Sequence, residues 1–150
     1  MKKLKVLFVV LLLCLFGCQK EVINNELETH KLAERIVEEV GVKDKVRLIE
    51  DRLVPGVIFF DEDLILENAL YIGENSADTV GVFRTNDVNK TTKFIQDYLK
   101  SMKEELKNQN PSESFKVDNA ILEHNEDTVI LIVAEDLEKA KRICRDALGD

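Results

Sequence analysis

An α+β fold is predicted: a two-layer sandwich in which a mostly antiparallel sheet of about four to five strands carries helices on one face. Three observations predict it. Two pairs of apolar runs are each joined by a short polar turn, and three longer segments carry apolar residues at three- and four-residue steps on one side only. Their order is helix, strand region, hairpin, long helix, hairpin, helix. Tight hairpins force antiparallel pairing, and a helix with a single apolar stripe needs one surface to pack on.

The first helix is expected over Glu26 to Val40, where Leu32, Ala33, Ile36, Val37 and Val40 share one stripe. Asn25 can cap it, with Glu28 completing a capping box, and Gly41 stands where a left-handed C-terminal cap wants glycine. Lys45 to Asp51 reads as a strand, and Pro55-Gly56 as a turn. Val57 to Phe60 fits either a strand or a turn packed on the core, and Asp61 to Leu66 is ambiguous. Asn68 to Gly73 and Asp78 to Arg84 form a hairpin around Gly73, Asn75 and Ser76.

The longest helix is expected over Asp87 to Lys107. Val88, Thr91, Ile95, Tyr98, Met102 and Leu106 form its stripe, Phe94 and Leu99 stand beside it, and Asn86 is the expected cap. Asn108 to Pro111 ends it. Val117 to His124 and Thr128 to Ala134 make a second hairpin around Asn125-Glu126-Asp127. TVILIVA, from Thr128, is apolar enough to be a central strand buried on both sides or nearly so. Glu135 to Leu148 closes the chain as a helix with Leu137, Ala140, Ile143, Cys144, Ala147 and Leu148 inward.

Ahead of this domain stands MKKLKVLFVVLLLCLFGC. Lys2, Lys3 and Lys5 precede an unbroken apolar run of eleven residues, Val6 to Phe16, then Gly17 and Cys18. Charged, apolar and small residues in that order read as an export signal. The run falls well short of the ~20 apolar residues of a spanning helix. LFGC resembles the lipobox of bacterial lipoproteins, which implies that the Cys18 thiol is acylated and Cys18 becomes the new N-terminus. Phe16 departs from that pattern, being larger than the residue usual there; plain secretion, with Cys18 an ordinary residue, is the alternative. The expected organisation is a signal peptide over 1–17, the lipidated cysteine and a short linker over 18–25, and one domain over 26–150. Six residues, Gln19 to Asn24, reach at most ~20 Å, so the domain would sit close to the membrane.

The chain carries a formal charge of -8; removing residues 1–17 takes away three lysines and no acid, leaving -11. Such a surface argues against a nucleic-acid binder, which needs a basic footprint, and against lying flat on anionic lipid. Of three cysteines, Cys14 leaves with the signal and Cys18 takes lipid, so Cys144 alone remains and no internal disulfide can form.

Catalytic signatures are missing from the sequence: there is no G-x-S-x-G, H-E-x-x-H, phosphate loop or C-x-x-C. A Ser-His-Asp triad would have only His30 and His124 to draw on, and both read as surface residues. Cys144 has Arg142 and Arg145 nearby, which would lower a thiol pKa, but it shares the apolar stripe with Ala140 and Ala147 and reads as a small buried hydrophobe. Asp61-Glu62-Asp63, with Glu67 beyond, is the densest acidic cluster; a cation is the sharper reading of it and a solvated loop the plainer one. Arg84 ends an apolar strand, where it can pair with Asp87, lie at the sheet edge, or meet an anion beside a helix N-terminus. No cofactor or metal site is read.

From Thr79 to Leu148 the chain resembles a family of small lipoproteins of Firmicutes built on a domain of unknown function. The resemblance lies in TVGVFRTND opening a long charged helix and in NAILEHNEDTVILIVAEDLEKA, with Phe83, Arg84, Asn119 and Ala120 at the matching positions. It implies the lipid anchor and an α+β fold but no activity. The expectation is therefore a lipid-anchored extracytoplasmic domain, held in the cell membrane by Cys18. It would be a non-enzymatic module binding another envelope protein; the alternative is a small-ligand or cation-binding lipoprotein.

Overall fold

The computed structural model describes residues 25–61 and 63–149. The expected signal peptide, Cys18, the linker through Asn24, and Glu62 lie outside the described residues.

Helix α1, Asn25–Val40, leads into β1, Val46–Ile49, a 3-10 turn at Asp51–Leu53 and a short α2, Val54–Ile58. Then come β2 (Ile65–Gly73), β3 (Thr79–Thr85), α3 (Val88–Gln109), α4 (Pro111–Asp118), β4 (Ile121–His124), β5 (Thr128–Val133) and α5 (Leu137–Leu148). The five strands form one antiparallel sheet in the order β1-β2-β3-β5-β4.

The α+β class and the strand count agree with expectation; the two-layer arrangement does not. The apolar residues divide into two buried sets on opposite faces of the sheet. Ala69, Val80, Val82, Ile130 and Ile132 meet Ala33, Ile36, Val37 and Val40 of α1 and Ala140, Ile143 and Cys144 of α5. Leu70, Phe83, Val129, Leu131 and Val133 meet Val54 and Ile58 of α2, Ile95 of α3 and Val117 of α4. Helices therefore cover both faces, in three layers. The physical reason lies in β3 and β5, whose successive residues point to opposite faces and are apolar on both, so each face needs its own cover.

Local chemistry sets the element ends. Gly41 adopts φ +81°; its N–H donates to Val37 O and Glu38 O, and the Val42 N–H donates to Val37 O at 3.1 Å. This is the left-handed cap expected there. At α3 the cap is Asp87 rather than Asn86: its carboxylate accepts from the Lys90 N–H at 3.0 Å, while Asn86 Nδ2 donates to Asp63 O at 2.9 Å. Asp136 caps α5 in the same way, accepting from the Lys139 N–H.

Two readings of proline are corrected. Pro55-Gly56 lies inside α2, and Pro111 opens α4 instead of only closing α3. In the first helical turn proline gives up an N–H that has no partner there and brings a preset φ. As a result Val117 belongs to α4, and β4 starts at Ile121.

Candidate functional site

β2 and β3 turn over at Gly73 to Asp78, and this end of the sheet also holds the start of β1, the end of β5 and all of α4. The hairpin is closed by the Gly73 N–H donating to Asp78 O at 2.8 Å. A side chain at Gly73 would not fit, since a Cβ there would stand 2.6 Å from the backbone oxygen of Ser76.

Asp78 is fully buried, so its carboxylate needs a partner. α4 supplies one. Lys116 Nζ lies 3.3 Å from Asp78 Oδ1, 3.4 Å from Oδ2 and 3.0 Å from Glu113 Oε1. Glu113 Oε2 accepts from the Ala77 N–H at 2.6 Å. Burial works to lower the Lys116 pKa, but its hydrogen bond to Glu113 and the charge of Asp78 outweigh burial and hold it above the usual lysine value. The network pins α4 across the end of the sheet.

Beside α4 lies a cleft of about 650 Å³, with Lys45, Phe115, Lys116, Asn119, Glu135 and Leu137 among its walls. Phe115 is 67% exposed, although the residues on either side of it in α4 point inward or pair. Exposed aromatic side chains of this kind serve as anchors in protein interfaces. Lys45 and Glu135 offer opposite charges at the rim. The Ser112 hydroxyl on the wall donates to Asn110 Oδ1 at 2.8 Å and is not set against a base. The cleft can hold an amphipathic segment or small molecule; it has no nucleophile–base pair among the described residues.

The residues singled out in the sequence are scattered. His30 Nε2 lies 3.0 Å from Asp51 Oδ2, beyond β1; His124 is on β4, exposed, with Nδ1 3.2 Å from Asn125 O. β1 and β4 are opposite edges of the sheet, so the two histidines share no site. Cys144 is buried in α5, where burial, followed by the charge of Glu123, pushes its thiol up to about 12. Arg84 is not at an edge and does not pair with Asp87. It stands on the central β3, with its guanidinium 2.7 Å from Glu67 Oε1 and 3.5 Å from Asp127 Oδ2.

The acidic cluster is split: Asp61 and Asp63 line one shallow hollow beside Asp87 and Lys90, and Glu67 lies apart from them. Asp61 pairs with Lys90, while Glu67 turns away to accept from Thr29 Oγ1 and Arg84. Among the described residues, no three His, Cys, Asp or Glu side chains converge as metal ligands. What the sequence reading missed is α4 and with it Phe115, Lys116 and the cleft. The available signal was Pro111 followed by Ser112-Glu113, a proline and an acid in a first helical turn.

Comparison with family models, with curated proteins and with solved structures finds no match to this chain.

Proposed function

We propose that this chain is a lipid-anchored extracytoplasmic lipoprotein, of the kind its resemblance to small Firmicute lipoproteins implies, whose domain is a non-enzymatic module that binds another envelope protein. The observation that carries the reading is the position of the cleft. α1 begins near Asp51 and Glu67, because His30 and Thr29 in its second turn meet those two residues. The cleft lies at the other end of the sheet. β2 spans nine residues, so at about 3.3 Å per residue the two ends are roughly 30 Å apart. A tether from Cys18 enters at one end and leaves Phe115 and the cleft pointing away from it, open to a partner.

Crosslinking in intact cells, followed by affinity purification and mass spectrometry, tests this with the tagged full-length chain and its Phe115→Asp variant. An abundant envelope protein recovered with the wild type and lost with the variant is expected. Equal recovery from both would exclude the cleft as its site. The size of the cleft, within the range of small-molecule sites, favours small-ligand binding as the second reading. A ligand bound only by the folded state would raise thermal stability.

A further inference from the structure

We propose that the end of the domain where α1 begins rests on the membrane surface, with Phe59, Leu53 and Leu66 entering the outer leaflet. The inference rests on the lipid anchor proposed above.

The three side chains are 76%, 52% and 52% exposed, among the largest apolar exposures of the described residues. Each sits at the tether end. Leu53 is two residues past Asp51, which meets His30 of α1, and Leu66 adjoins Glu67, which meets Thr29. Phe59 adjoins Phe60, whose ring packs edge-on against Phe83 at 5.3 Å and Phe94 at 6.0 Å; Phe94 lies in the second turn of α3, which starts at this same end.

Two of the three hold backbone irregularities. Phe59 ends α2 at φ 59°, ψ 37°, the left-handed region, and is the one non-glycine residue with positive φ among the described residues. Glycine or asparagine is the ordinary choice there, and a bulky residue at that position is an outlier. Here the conformation turns an exposed phenyl ring out of the fold while its neighbour Phe60 turns in. Leu66 occupies the register shift between Ile65 and Glu67 on β2, where a bulge leaves one residue unpaired and redirects its side chain.

The occupant follows from the chain itself. Six residues separate Cys18 from the start of α1, a reach of at most ~20 Å, so an acylated Cys18 holds this end within that distance of the bilayer. The surrounding charge is mixed: Arg52 pairs with Glu50 and Lys90 with Asp61, beside Asp51 and Asp63. The contact is therefore apolar, and it suits zwitterionic headgroups better than anionic ones.

The test uses the processed lipoprotein with its acyl group, reconstituted into phosphatidylcholine vesicles. An environment-sensitive fluorophore is placed on Phe59→Cys, on Leu66→Cys or, at the opposite end, on Asn75→Cys. The expected result is flotation with vesicles, blue-shifted emission at positions 59 and 66, quenching there by spin-labelled lipid, and neither effect at 75. Flotation with no quenching at 59 and 66 overturns the inference and leaves the anchor standing. Blue-shifted emission without lipid quenching also overturns it, because a protein or a second copy then covers this end. Failure to float overturns the anchor, and the membrane contact with it.

Discussion

Replacing Gly81 by alanine is expected to destabilise the domain, because the second face of the sheet is packed to contact. Gly81 lies in the middle of β3, paired with Leu70 on one side and Leu131 on the other. A Cβ there would stand 2.5 Å from Phe83 Cε2, 2.7 Å from Phe83 Cζ and 3.4 Å from Leu70 Cδ1. The ring cannot swing aside, since Phe83 is fully buried with the edge of Phe60 against it. Overpacking of this kind costs about 1–3 kcal/mol. Losing a strand glycine returns about 0.5–1 kcal/mol of that, so a net loss of about 0.5–2 kcal/mol is expected.

Urea denaturation measures it. With a slope of about 2 kcal/mol per molar for a domain of this size, the midpoint should fall by roughly 0.25–1 M with the slope unchanged. On a Phe83→Leu background the obstructing ring atoms are gone, and Gly81→Ala should be neutral or stabilising by up to about 0.5–1 kcal/mol, a coupling of at least about 1 kcal/mol. If Gly81→Ala leaves the midpoint unmoved on both backgrounds, Phe83 does not lie over Gly81 and the packing of this face is wrong.

Three further results are expected. Lys116→Met should cost about 3 kcal/mol by leaving the Asp78 carboxylate buried without its cation; adding Asp78→Leu should restore most of it, as read from thermal unfolding. Stability should hold up to about pH 9 and fall above it. The folded pKa values of Cys144 and Tyr98 are each raised to about 12 by burial, so the native state retains protons that the unfolded chain loses from about pH 9–10 upward; Cys144→Ala should shift the alkaline transition to higher pH. Phe59→Gly should stabilise the isolated fold by up to about 1–2 kcal/mol, since it relieves the left-handed backbone at a site that is mostly exposed; a loss of stability would mean the ring packs on the domain.

Much of the fold was legible in the sequence because its signals are local. The stripes of α1, α3 and α5, the glycine at 41 and the two hairpins all reflect spacing within one element. The layer count failed for a specific reason. An apolar stripe says that a helix packs on something, but not on which face of the sheet. The better evidence was in the strands, where Val129 to Val133 is apolar at every position and so calls for cover on both sides. α2 and α4 were hidden because Pro55 and Pro111 read as punctuation, although proline suits a first helical turn as well as it ends one. Without α4 the cleft has no wall, so nothing local in the sequence marks Phe115 and Lys116. The partners of Arg84 were invisible for another reason: Glu67 and Asp127 are brought beside it by strand pairing, which no short window of sequence contains.

Metabolic labelling with palmitate, comparing the wild-type chain with Cys18→Ala, tests the central claim most directly. Labelled, processed protein is expected from the wild type, and an unlabelled, uncleaved precursor from the variant. Continued labelling of Cys18→Ala, or no labelling of the wild type, would contradict a lipid anchor at Cys18 and remove the basis for placing this domain at the membrane surface.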